Sequence, residues 1–288
     1  MIKKLLSFIV MPLDFITKYF KAMVFLLIVI ILIISVTPSS SSINTPNLAK
    51  IYLQGPIIDS EGIRTQINKI LDTPSIKGVL LIINSPGGGV SASVEIGDMI
   101  AELKQKMPVI AYVEGVMASG SYYAGMYADK IYANRGALIG SIGVIFNGVN
   151  ISELAKKLGI QEQVIAAGEY KQVGTFMRKW TPQERGFIED LIQEEYNMFV
   201  SDVADTRGLD IKSSKEYAQG KVFSAKKALK LGLIDTIGTQ NQAIEMLKNL
   251  SEVQNPVWLK KDKFEAYLDK IIKTSTQIMI NTFAYTLK

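Results

Sequence analysis

The chain opens with a block and then settles into alternation. Residues Ala22–Val36 (AMVFLLIVIILIISV) form an apolar run with no charge in it, preceded by Lys18 and Lys21 and followed by the polar stretch Thr37–Asn47 (TPSSSSINTPN). Its 15 residues are short against the ~20 that cross a bilayer, but Tyr19, Phe20 and a snorkelling Lys21 extend it at one end, so the run predicts a transmembrane anchor. A cleaved signal peptide is the other reading of such a run, but no small-x-small cleavage site follows it. From Leu48 the pattern changes. Leu48–Leu53 reads as a strand, Glu61–Leu71 as an amphipathic helix, and Val79–Ile83, apolar throughout, as a strand buried on both faces. Ser91–Lys106 reads as a helix, Val109–Val113 as a second buried strand and Ile151–Leu158 as a further helix. Thr181-Pro182-Gln183-Glu184 spells a capping box with proline at the first helical position, opening a helix whose apolar residues Ile188, Leu191, Ile192, Tyr196, Phe199 and Val203 recur at helical spacing. Strands alternating with helices predict an α/β domain with crossover connections.

Charge refines this picture. The 288 residues carry 32 Lys and Arg against 27 Asp and Glu, yet the excess sits at the two ends. Residues 1–21 hold four bases and one acid, and residues 255–288 hold six bases and three acids. The body between them is close to neutral, with no electrostatic footprint for a phosphate backbone, so no nucleic-acid partner is expected. All the bases flanking the apolar run lie on its N-terminal side, which places the N-terminus in the cytoplasm and the body on the extracytoplasmic side of the membrane. The expected organisation is a basic cytoplasmic segment (1–21), a transmembrane signal anchor (22–36), a linker (37–47), the α/β domain (48–254) and a tail (255–288). In the tail, Phe264, Tyr267, Leu268, Ile271, Ile272, Ile278, Met279 and Phe283 make a helical stripe beside Lys260, Lys261, Lys263, Lys270 and Lys273. It either packs on a protein surface or lies on the membrane.

Composition also removes reaction classes. The chain has no histidine and no cysteine, which excludes a Ser-His-Asp triad, a cysteine nucleophile and the usual zinc ligands. No metal or cofactor is expected. A base working near neutral pH must then be a carboxylate or a desolvated lysine.

Two motifs carry candidate chemistry. Asn84-Ser85-Pro86-Gly87-Gly88-Gly89 follows a buried strand and precedes a helix, so its backbone N–H groups are free to approach a ligand; it is either a tight turn or an oxyanion site. Met117-Ala118-Ser119-Gly120-Ser121-Tyr122-Tyr123 also stands between a strand and a helix, where Ser119 is either a helix cap or a projecting nucleophile. Together, in this order and about thirty residues apart, INSPGGG and the Ser-Gly turn resemble the proteolytic subunit of the Clp protease and its relatives in the Clp/crotonase fold. MASGSYYAG resembles more closely the signature of the signal peptide peptidase A family, and the likeness continues through Gly140–Val144 (GSIGV), Gly168–Gly174 (GEYKQVG), Thr181–Arg185 and Gly220–Asp235.

The resemblance implies a Clp/crotonase-like spiral of ββα units behind one N-terminal transmembrane helix, and a serine endopeptidase in its short single-domain form. It implies Ser119 as nucleophile, Lys171 as general base, Gly88 and Gly120 as oxyanion donors and Ser141 as the residue that orients the lysine. Clp-type peptidases use a histidine base, and its absence here fits the lysine branch. A lysine base must be deprotonated, which burial favours. The implied substrates are hydrophobic peptides such as signal-peptide remnants, and the implied assembly is a homo-oligomeric ring whose Ser-Lys dyads are shared between subunits. Two other readings share the fold: a crotonase-like acyl-CoA enzyme working through carboxylates, and a catalytically silent membrane scaffold.

Overall fold

Gly78–Ser85 (GVLLIINS) is buried along almost its whole length, and its neighbours explain why: it lies inside a sheet covered on both faces. The computed structural model describes residues 18–29 and 45–260, and the chain divides into two units, residues 1–44 and 45–288. In the first unit, residues 18–29 are helical and expose apolar side chains such as Phe25 and Leu26. The remainder of the anchor expected at residues 22–36, most of the linker and the tail from residue 261 lie outside the described residues. Among the described residues no helix is long and apolar enough to cross a membrane.

In the second unit β1 (Leu48–Gln54), β2 (Gly78–Ser85) and β3 (Val109–Ala118) run parallel in that spatial order. The first part of β3 pairs with β4 (Lys130–Ala133) and its last three residues with β5 (Leu138–Gly140). The short β6 (Val222–Ser224) lies antiparallel to β5, and β7 (Thr236–Ile237) closes the far edge beside β4. The sheet is therefore mixed, with seven strands. Side chains alternate across it as the strand period of two demands. Ala49, Ile51, Val79, Leu81, Ile83, Val109 and Ala111 face the larger core, while Leu48, Leu80, Ile82, Ile110 and Tyr112 face the smaller one.

Helices cover both faces. Ile63, Ile67 and Ile70 of α1 (Glu61–Leu71) and Ile96, Ile100 and Leu103 of α2 (Val90–Lys104) enter the larger core, as does Tyr122 of α3 (Gly120–Gly125). Their spacing of three and four residues is the helical signature. Between β5 and α5 (Pro182–Arg207) the chain leaves the sheet for a long excursion with one short helix, α4 (Ser152–Lys157), exposing Ile145, Val149, Leu158 and Ile165. α5 starts on the expected capping box, with Thr181 Oγ1 accepting from the Glu184 N–H and the Glu184 carboxylate accepting from the Thr181 N–H. After the single turn of α6 (Ser214–Tyr217) and α7 (Ala225–Lys230), α8 (Gln240–Leu250) lays Ala243 and Leu247 on the smaller core.

Candidate active site

β2 and β3 are parallel neighbours, so the two motifs that follow them emerge at the same edge of the sheet, where open α/β folds bind their ligands. The alignment is tight. β2 is bulged between Ile83 and Ser85, and Ser85 then stands opposite Met117. The side chain of Ser121, wholly buried, locks the two ends together: its hydroxyl accepts from the Ala118 N–H at 2.8 Å and lies 2.7 Å from the Ser85 carbonyl, to which it donates. Ser85 Oγ in turn accepts from the Gly87 N–H at 3.2 Å.

The glycine run is then fixed from its other side. The Ile57 N–H donates to the Gly87 carbonyl and the Gly89 N–H to the Ile57 carbonyl, both at 2.9 Å, so the amide of Gly88 is left out of this bridge. A Cβ on Gly88 would stand 1.9 Å from the Ile57 oxygen, a Cβ on Gly120 3.3 Å from the Gly88 nitrogen, and a Cβ on Gly87 2.6 Å from the Gly120 nitrogen and 2.9 Å from Ser119 Cβ. Backbone therefore packs against backbone here. The amides of Gly88 and Gly120 come together beside Ser119, in the way that two amide donors form an oxyanion hole.

Ser119 itself sits at φ 52° and ψ −125°, a conformation costing on the order of 1–3 kcal/mol in a non-glycine residue. It stands at the N-cap position of α3, yet its side chain makes no capping hydrogen bond. The turn is a sharp strand-to-helix corner, a form that can project a nucleophile, and capping does not account for this serine. Beside it, Gly140 pairs with Ala118, and the Ser119 N–H donates to the Gly140 carbonyl at 2.8 Å. The next residue, Ser141, also has a left-handed backbone, φ 50°, held by its N–H donating to the Lys221 carbonyl at 2.7 Å. Ser119 and Ser141 line one cleft of about 750 Å³ together with Pro86, Val90, Val144 and Tyr196. A narrow recess under Ser119 is walled by Val94, Tyr123, Met198 and Phe199, with Glu195 beside them. Tyr123 is held there by its hydroxyl on Asp202 and by edge-on contact with Phe199, ring centroids 5.2 Å apart. Burial first, and the Asp202 hydrogen bond next, push that phenol well above its ordinary range.

The structure thus brings Ser119, Gly88, Gly120 and Ser141 into one site. Lys171 is elsewhere in this chain. It is exposed, in the turn Gly168–Gly174 of the excursion, and lines neither the cleft nor the recess at Ser119. Among the described residues no group of carboxylates is disposed to hold a metal ion. Ser85 and Ser121 were not singled out by sequence reasoning. Their signal was the small polar residue inside each motif, and its meaning depends on the β2–β3 register.

Residues 101–254 match the family model of peptidase family S49. Over 182 residues the chain is 43% identical to a candidate protease of Methanocaldococcus jannaschii, an alignment covering 63% of this chain and 58% of that one. A candidate protease of Synechocystis is 38% identical over 207 residues, covering 71% and 74%. A candidate signal peptide peptidase of Enterococcus faecium is 37% identical over 185 residues, covering 64% and 54%. The chain therefore spans just over half the length of the first and third of these relatives.

Proposed function

Because the chain belongs to peptidase family S49, we propose that it is a serine endopeptidase of the signal peptide peptidase type, with Ser119 as nucleophile and Lys171 as general base. The neutral Lys171 amine takes the Ser119 proton as Oγ attacks the peptide carbonyl. The Gly88 and Gly120 amides receive the negative charge that develops on the carbonyl oxygen, an interaction stronger in the transition state than in the ground state. The lysine ammonium then protonates the leaving amine, and water, activated by the same amine, releases the acyl group from Ser119. Ser141 orients the lysine by a hydrogen bond to its amine. The observation that carries the reading is the strained Ser119 corner set against two backbone amides.

Lys171 comes from an adjacent subunit. Two features support this. α5 begins beside the Lys171 turn, where Arg178 bonds both Gln172 and Glu184, and reaches the Ser119 cleft only at Ile192. At 1.5 Å per residue the distance along the helix from Glu184 to Ile192 is about 12 Å, and to Phe199 in the recess about 22 Å. The exposed apolar side chains of the excursion, Ile145, Val149, Leu158 and Ile165, also offer a surface for a second copy, and its contact would give Lys171 the dry surroundings that a lysine base requires. The assembly is a homo-oligomeric ring of Clp/crotonase-like subunits. It is tethered by the apolar run at residues 22–36 with the peptidase domain on the extracytoplasmic side of the cytoplasmic membrane, and it hydrolyses hydrophobic peptides such as signal-peptide remnants. The apolar cleft walls Val90, Val144 and Tyr196 suit such substrates. The test is hydrolysis of a hydrophobic signal-peptide-like substrate by the wild type and by Ser119→Ala. Loss of turnover is expected, and equal rates would sink the assignment.

A further inference from the structure

Lys171 stands between two attachments to α5. The residue before it, Tyr170, lays its ring on Phe187, with centroids 5.2 Å apart and an interplanar angle of 32°. The residue after it, Gln172, accepts a hydrogen bond from Arg178 Nη2 at 3.3 Å. Arg178 is itself held at both ends of its fork by Glu184, at 2.8 and 2.6 Å, and bidentate pairing of this kind fixes direction as well as charge. Glu184 is almost wholly buried, and its carboxylate also accepts from the Thr181 N–H at 2.8 Å. A chain of directed contacts therefore runs from the N-terminus of α5 through Arg178 to the turn that carries Lys171. The turn has few supports of its own, chiefly the Lys171, Val173 and Thr175 N–H groups bonded back to Gly168, Tyr170 and Gln172 at 3.0 to 3.2 Å.

Resting on the assignment of Lys171 as base, we infer that Arg178 and Glu184 are positioning residues of this peptidase: they clamp the Lys171 turn to the start of α5 and so fix where the amine is delivered. With its guanidinium 38% exposed, the Arg178–Glu184 pair is screened by water and contributes little stability by itself. Its use here is geometric. With the clamp in place, the turn presents Lys171 in one orientation to the neighbouring site. Without it, the turn hinges and the amine spends more time in water, where the charged form of an amine is favoured.

The other charges near the turn are Glu162, which acts on Arg178, Lys156, which lines a groove together with Gln172 and Arg178, and Glu169 and Lys179 in the adjoining sequence. Because each would move a lysine by simple attraction or repulsion, the test must leave the net charge as it is. The double variant Arg178→Gln/Glu184→Gln does so, and a glutamine at position 184 still completes the capping box with Thr181, so α5 keeps its start. In the full-length protein, peptide hydrolysis should show kcat reduced about tenfold or more at neutral pH with KM little changed, because the chemical step and not substrate binding is affected. The rising limb of the pH–rate profile should move to higher pH, so that part of the activity returns at alkaline pH. Gln172→Ala, which removes only the last link of the chain of contacts, should shift the limb in the same direction by a smaller amount, and it guards against failure of the double variant to fold. A loss of rate that is uniform across pH, or a limb that stays in place in both variants, overturns the inference. Full activity in Lys171→Ala would instead remove the base on which the inference rests, and that outcome is separately visible.

Discussion

The hydroxyl of Ser121 donates to the carbonyl of Ser85 at 2.7 Å and accepts from the Ala118 N–H at 2.8 Å, so this one side chain ties the end of β2 to the end of β3 just where each strand gives way to its motif. The glycine run begins two residues after Ser85, and Ser119 directly follows Ala118. The two halves of the site thus owe part of their relative placement to a wholly buried side chain. Ser121→Ala should leave the buried Ala118 N–H without its partner, at a cost of about 1–3 kcal/mol. That is a fall in Tm of roughly 2–10 °C for a domain of this size, and kcat should fall with it as Ser119 shifts from the two amides. An unchanged Tm would show that the backbone holds the corner unaided.

The glycines of the run are not equivalent. A methyl group on Gly88 would meet the Ile57 oxygen at 1.9 Å, whereas one on Gly89 would find that atom at 3.9 Å, with an ordinary φ of −60°. Gly88→Ala must therefore separate Ile57 from the loop and displace the amide, with an expected loss of about 10²–10³ in kcat, the scale of a lost oxyanion donor. Gly89→Ala should retain activity within about threefold by the same physical argument, since no atom has to move. Parallel losses in the two variants would reduce the run to a flexible turn.

What could be read from the sequence followed the range of the interactions that fix each element. Ile63, Ile67 and Ile70 announce α1 by their own spacing, and Thr181 with Glu184 announces the start of α5, because helix stripes and caps are decided within a few residues. β3 was legible only as far as Val113. Its continuation to Ala118 crosses Glu114 and Gly115, which break the apolar run, and it is stabilised by pairing with β5, a partner 22 residues further along the chain that no local pattern reveals. The meeting of Ser119 with Ser141 depends on that same pairing, and the roles of Ser85 and Ser121 depend on the register of β2 against β3. Residue types at the site were thus visible as motifs, while their convergence was a tertiary fact. Lys171 marks the remaining gap, since contacts within one chain do not bring it to Ser119.

Acid should expose the clamp at the start of α5. The Arg178 guanidinium, and then the Thr181 N–H, hold the Glu184 carboxyl down to about 2 from its ordinary 4.5. A group whose folded pKa is depressed contributes its stability in full above the unfolded value and loses it as pH falls through the folded one. Glu184→Gln should therefore be less stable than the wild type at pH 7, and the gap should close between about pH 4.5 and pH 2 as the wild-type carboxyl takes up its proton. Denaturant midpoints of both proteins across that range measure it. A gap of constant size would show that the pair contributes no charge-dependent stability.

A shared dyad makes a prediction that no single-chain site can imitate. Ser119→Ala chains keep Lys171 and Ser141 but lack the Ser119 hydroxyl; Lys171→Ala chains keep Ser119, Gly88 and Gly120 but lack the lysine amine. Each parent assembled alone should be inactive. If the base for each cleft comes from the adjacent subunit, a mixed ring contains interfaces at which an intact Ser119 from one parent meets an intact Lys171 from the other. Hydrolysis should then return to a fraction of the wild-type rate set by the mixing ratio, highest near equal amounts. The corner at Ser119, the paired amides and the cleft all lie within one chain, so a complemented site needs nothing from its neighbour except the lysine turn. If Lys171 instead swung into the cleft of its own chain, every site in every mixture would lack one member of the dyad. Mixed rings verified by two different tags and still inactive would thus exclude the shared site, and would leave the Ser119 and Lys171 chemistry to be judged by the single variants.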